Sequence, residues 1–175
     1  MATNSTAVKS STQTRPSAIP GYEDWPAFVR RQPLSLRAAS SRDLSRVLGV
    51  PAPELDVAQR ASVLWKEEHD GVTTTALEWH TGFGPATRAW FVQPAGVHEP
   101  LPGVLALHCH AGNKYTGASR LIEFPAGRGE PGVGVDPDRF DLYGERAAAT
   151  SLARKGFAVL AHDAFAWGSR GFDLR

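Results

Sequence analysis

The chain has 175 residues, 42% of them hydrophobic, and a formal net charge of +1. That length accommodates one domain with a real core, and the near-neutral balance argues against a nucleic-acid or membrane-surface binder. The one cysteine, Cys109, excludes an internal disulfide and a multi-cysteine zinc site, and is compatible with a reducing compartment. No stretch approaches the ~18 consecutive apolar residues of a membrane span. The N-terminal MATNSTAVKSSTQTRPS lacks the apolar region of a secretory signal, and its only basic residues are Lys9 and Arg15. Cytoplasmic location is the default expectation.

Residues 1–23 are dominated by Ser, Thr and Ala with almost nothing to bury, so a disordered tail is expected. Residues 24–58 read as a helical arm. Asp24 can cap a short helix whose first turn suits Pro26. Ser40 and Asp43 open a second helix with Leu44, Val47 and Leu48 on one face, ended by Gly49 and Pro51. The function of this arm is not readable.

The period then changes. Ser62–His69 is a strand candidate, Asp70-Gly71 a two-residue hairpin signal, and Val72–Trp79 a β-rich segment that pairs back antiparallel. Gly82, Gly84 and Pro85 turn the chain into a third strand, Arg88–Val92, stopped by Pro94 and Gly96. The apolar run Val104-Leu105-Ala106-Leu107, bounded by Leu101-Pro102-Gly103 and by His108-Cys109-His110-Ala111-Gly112, reads as a strand over 103–108 buried on both faces.

Residues 115–142 are rich in Gly and Pro and read as a long loop, of a kind that is usually functional or mobile. A helix is expected over Leu142–Lys155. Asp141 would cap it, Glu145 and Arg154-Lys155 suit its dipole, and Gly156 would terminate it. Phe157-Ala158-Val159-Leu160-Ala161 is a second apolar strand, ending in His162-Asp163. Strand, helix, strand makes a crossover unit, so 103–108 and 157–161 are expected to be parallel. Their carboxyl ends then share one edge, and His108-Cys109-His110 and His162-Asp163 face one crevice, where open α/β sheets place ligands. Polar residues that simply close two strands at the surface are the plainer alternative.

Other chemistries fit less well. His108 and His110 share a strand face while Cys109 points away, which leaves two ligands unless His162 supplies a third for zinc. Cys109 as a nucleophile competes with its ordinary use as a packed apolar side chain. Gly127-Arg128-Gly129-Glu130-Pro131-Gly132 matches G-x-G-x-x-G in letters only, because Pro131 and Gly134 oppose a helix there.

The segment LPGVLALHCHAGNK resembles the third strand and oxyanion turn of α/β-hydrolases, in the group of dienelactone hydrolases and acetyl-xylan-esterase-like enzymes. ERAAATSLARKGFAVLAHDAFAWGSRG resembles the first crossover helix, the fourth strand and the loop after it. The resemblance covers roughly Arg60 to Arg175. It implies an α/β fold class with an incomplete hydrolase sheet, antiparallel at the start and parallel after, over 59–175. It also implies an oxyanion hole built from the backbone N–H groups of His110 and Ala111. Cys109 and Ala111 depart from the glycines common there. The crevice would be lined by His108, Gly112, Lys114, His162, Asp163, Trp167 and Arg170, with Asp163 and Arg170 shaping it rather than acting as the catalytic acid.

The family's nucleophile lies on G-x-S-x-G, and this sequence has none. Gly117-Ala118-Ser119-Arg120-Leu121 fails at its last position, and Gly168-Ser169-Arg170-Gly171 has the wrong spacing. The expectation is therefore the N-terminal portion of a longer ester hydrolase, or a truncated relative, with no catalytic residue of its own and little acyl-transfer activity alone. The resemblance implies no cofactor and no metal, and a small-molecule ester as partner of the complete enzyme, with no nucleic acid or membrane. A non-catalytic binding or assembly module is the alternative. Oligomeric state is not readable.

Overall fold

The computed structural model describes residues 18–31, 60–110, 114–129 and 142–172. The proposed helix at 40–49, and with it most of the expected arm, lies outside these residues. Among the described residues, no helix is long and apolar enough to cross a membrane.

The centre is a mixed five-stranded sheet of α/β character. Strand β1 (Ser62–His69) turns into β2 (Val72–Trp79) through Asp70 and Gly71, whose φ angles are 45° and 77°. Two left-handed residues in a two-residue turn match the right-handed twist of the flanking strands, and Gly71 takes such an angle without a Cβ clash. β2 pairs antiparallel with β3 (Thr87–Pro94) from Val72↔Pro94 to Trp79↔Thr87. The expected meander of three strands is present.

After β4 (Gly103–Ala106) and a crossover come β5 (Ala158–His162) and its parallel pairing with β4, in the register Gly103↔Ala158 to Ala106↔Ala161. The strand order is β1-β2-β3-β5-β4, with β5 antiparallel to β3. β5 is interior, and β1 and β4 are the two edges of the described sheet. One expectation changes: β4 is not buried on both faces, since Leu105 is 58% exposed. An apolar run at an edge looks the same in sequence as a run in the middle of a sheet.

One face of the sheet carries the core. Val72, Ala76, Trp90, Val92, Val159 and Ala161 point toward a short helix, α2 (Ala148–Ala153), which follows α1 (Trp25–Arg31) in the chain, and a 3₁₀ turn (Ala118–Leu121). Ala149 and Ala153 on α2 and Ala118, Leu121 and Ile122 at the turn complete that core. Full burial of a Val or Leu side chain contributes about 1.5–3 kcal/mol. The Thr150 hydroxyl accepts the Glu123 N–H at 2.9 Å and ties the two covering pieces together.

The helix expected from Leu142 is shortened to α2 because Gly144 and Glu145 take φ of 56° and 64°, which breaks helical backbone before it. The described part of the expected loop, 115–129, is also less open than its composition suggests. Each residue of the 3₁₀ turn is buried.

The first helix, α1 (Trp25–Arg31), packs by aromatic rings. Tyr22, counted in the tail by composition, is fully buried. It meets Phe165 and Phe172 edge-on at 5.5 and 5.1 Å, and Phe28 stacks on Phe83 at 4.5 Å. The Asp24 carboxylate accepts the Gly84 N–H at 2.9 and 3.2 Å, so its bond runs to the turn before β3.

Candidate functional site

Parallel pairing puts the ends of β4 and β5 on one edge, and the loops that follow them touch. The Ala164 N–H donates to His108 Nε2 at 3.1 Å. His108 Nδ1 lies 2.9 Å from the Cys109 carbonyl oxygen. An acceptor at Nε2 and a carbonyl at Nδ1 specify the neutral tautomer with its proton on Nδ1. Both nitrogens are then used, and His108 acts as a strut between the two loops.

Two further contacts close the same crevice. Trp167 Nε1 donates to the His110 carbonyl at 3.4 Å. Lys114 Nζ sits 3.1 Å from the centroid of the Trp167 ring, a cation–π contact at an exposed site. His108, the His110 backbone, Lys114 and Trp167 are thus brought together. Ala111 and Gly112, the other expected residues of the turn, lie outside the described residues.

The remaining crevice candidates have other surroundings. Asp163 is 2% exposed, and its two oxygens accept the Ala118 and Ser169 N–H groups, each at 2.8 Å. It joins the 3₁₀ turn to the loop after β5. His162 lies on the opposite face of β5 from the core residue Ala161, with its ring 5.9 Å from Trp79. Arg170, 2% exposed, donates to the Thr81 hydroxyl at 2.6 Å and the Pro85 carbonyl at 2.8 Å. Its guanidinium lies 4.9 Å from the centroid of Phe83, and its carbonyl accepts the Tyr22 hydroxyl.

Sequence reasoning missed a buried cation beneath this edge. Arg120 is fully buried, donates to the Thr116 carbonyl at 2.8 Å and reaches Cys109 Sγ at 3.6 Å. The Tyr143 hydroxyl accepts the Cys109 N–H at 3.3 Å. Burial pushes the Tyr143 hydroxyl above the ordinary tyrosine range, and its contact with the Cys109 thiol adds to the rise. An arginine in a Gly-rich segment carries no periodic signal, so nothing local marks it as interior. Among the described residues, no three His, Cys, Asp or Glu side chains converge to hold a metal ion.

No protein-family model matches the sequence, and no curated protein matches it. It is similar to solved structures that include the following two. A protein assigned as an acetyl xylan esterase from Bacteroides fragilis NCTC 9343 aligns with a TM-score of 0.53 and 20% identity, over 74% of this chain and 30% of its own. An acetyl xylan esterase from Paenibacillus sp. R4 gives a TM-score of 0.35 and 17% identity, over 88% of this chain and 35% of its own. The chain therefore spans about a third of the length of these structures. The first likeness is one of fold, a hydrolase-like α/β arrangement; the second is too low to add to it.

Proposed function

We propose that the chain is the N-terminal portion of a serine-type carboxylic ester hydrolase, supplying the oxyanion turn and one wall of the substrate crevice. The observation that carries this reading is the His108–Ala164 hydrogen bond of 3.1 Å, which locks the loops after β4 and β5 into one edge. In this reading the N–H groups of His110 and Ala111 receive the negative charge that develops on the ester carbonyl oxygen. Fixed backbone donors work well there because they need no reorganisation as charge appears. Lys114 and Trp167 form the crevice rim. The nucleophile, its base and the triad acid belong to sequence that these 175 residues do not contain.

An aryl-acetate hydrolysis assay tests the proposal, run on this chain and on any longer product of the same reading frame that contains G-x-S-x-G. The chain alone is expected to give background rates and the longer product to turn over. In the longer product, His110→Pro removes the proposed donor and is expected to lower kcat by about 10²–10³ with little change in KM. Ester turnover by this chain alone, an inactive longer product, or an unaffected His110→Pro variant would each overturn the proposal. A stop codon directly after Arg175 would favour the binding-module alternative.

A further inference from the structure

The turn that follows β5 carries an unfavourable backbone conformation. Ala166 has a φ of 69° and Gly168 one of 51°. Glycine takes such angles freely, but the Cβ of an alanine crowds the backbone there. Such a residue persists only where the surrounding contacts impose it. Ala166 is buried, and the Trp167 N–H closes the turn on the Ala164 carbonyl at 3.1 Å.

Those contacts fall on two sides. On one side the turn meets the crevice. The Ala164 N–H donates to His108 Nε2, the Trp167 indole to the His110 carbonyl, and the Gly168 N–H to the Lys114 carbonyl at 3.1 Å. On the other side Phe165 enters a cluster of rings. Trp25 and Tyr22 meet it edge-on, with centroids 5.1 and 5.5 Å away, and Phe83 lies at 5.8 Å. The Tyr22 hydroxyl donates to the Arg170 carbonyl further along the same loop. Asp24, between Tyr22 and Trp25, is anchored on the Gly84 N–H. Edge-on aromatic pairs at these separations are attractive beyond their buried area, whereas the indole bond, at 3.4 Å, lies beyond the usual range. The rings are the firmer of the two grips.

We propose that Tyr22 and Trp25 are positioning residues for the crevice. They grip Phe165, hold Ala166 in its left-handed conformation, and so keep the Ala164 N–H on His108 Nε2, with the His108 proton on Nδ1. What the crevice then does to a substrate rests on the ester-hydrolase reading. The tautomer of His108 does not, so the two can fail separately.

Heteronuclear NMR of the full chain with isotope-labelled histidine tests the proposal. The two ring-nitrogen shifts of His108 are read at about pH 8, where an imidazole is ordinarily neutral, and are assigned by their loss in His108→Gln. Wild-type His108 is expected to carry its proton on Nδ1. Phe165→Ala and Trp25→Ala are each expected to lower that population at least about twofold. Phe165 is 39% exposed, so its truncation leaves the core intact. Phe28→Ala, which empties the stack on Phe83 from the same helix, is expected to leave the tautomer unchanged. Adding Ala166→Gly to Trp25→Ala is expected to restore the wild-type population, because glycine takes a φ of 69° without strain. A wild-type proton on Nε2, an unchanged tautomer in either alanine variant, an equal loss in Phe28→Ala, or no rescue by the glycine would overturn the proposal.

Discussion

The Cα of Gly117 lies so close to the Asp163 side chain that a Cβ there would sit 2.0 Å from Oδ1 and 2.7 Å from Cγ. The same carboxylate also excludes a side chain at Gly168, where a Cβ would sit 2.5 Å from Oδ2. Asp163 is thus clamped between two glycines and accepts the N–H groups of the residues that follow them. Gly117→Ala forces the carboxylate away and strands those donors, and it is expected to cost about 2–4 kcal/mol. Urea denaturation checks this. A loss below about 0.5 kcal/mol would mean that the clamp relaxes freely.

Tyr22 makes the fold sensitive to alkali. Burial raises its hydroxyl above the ordinary value of 10.0, and the nearby Arg170 partly offsets that rise. The unfolded chain therefore loses this proton first as pH rises. The contribution is intact below the unfolded pKa and is lost as pH climbs toward the raised folded pKa. Stability should fall with pH from about 10 upward, and Tyr22→Phe should flatten that slope while lowering stability at neutral pH through the lost bond to Arg170. Denaturation midpoints of both proteins measured between pH 8 and 11 decide it. Parallel slopes would exclude Tyr22 as the source.

Arg120 is expected to be structural despite its charge. Arg120→Ala empties a fully buried site and leaves the Thr116 carbonyl without its 2.8 Å donor, at an expected cost of about 3 kcal/mol or more. Arg120→Lys should recover only part of this, because an ammonium cannot hold the carbonyl and the thiol in the same fork geometry. Cys109→Ser, at an exposed position, should cost less than about 1 kcal/mol. Thermal melts of the three variants test this ranking, and equal stability of the alanine and lysine forms would refute the role given to the fork.

The exposed leucines of the β4 edge should govern solubility. Leu105 and Leu107 are 58% and 71% exposed beside a strand whose outer side has no partner among the described residues. Such an edge is a template for intermolecular pairing. Leu105→Lys with Leu107→Lys should lower light scattering on concentration while changing folding stability by about 0.5 kcal/mol or less. Undiminished scattering would place the sticky surface elsewhere.

Strand positions were legible because their signals are local. The β-rich composition of Val72–Trp79, the turn pair Asp70-Gly71 and the stops at Pro94 and Gly96 each act on neighbouring residues, and each strand forms within a residue or two of where those signals put it. The parallel pairing of β4 and β5 was also legible, since a short strand, a helix and another strand leave little topological choice. The helix start was not, because a left-handed Glu145 has no reliable mark in sequence.

The amino-acid sequence by itself determined the strands, the hairpin and the clustering of polar residues at the ends of β4 and β5. Tertiary structure alone decided that β5 lies between β3 and β4, that Arg120 is interior, and that Arg170 turns to the rings around Tyr22 rather than to the crevice. It also set Asp163 beneath Ala118, a partner 45 positions away in the chain. The physical reason is range. Backbone propensity and alternation are properties of adjacent residues, whereas burial of a charge depends on which distant donors and acceptors close packing brings within reach.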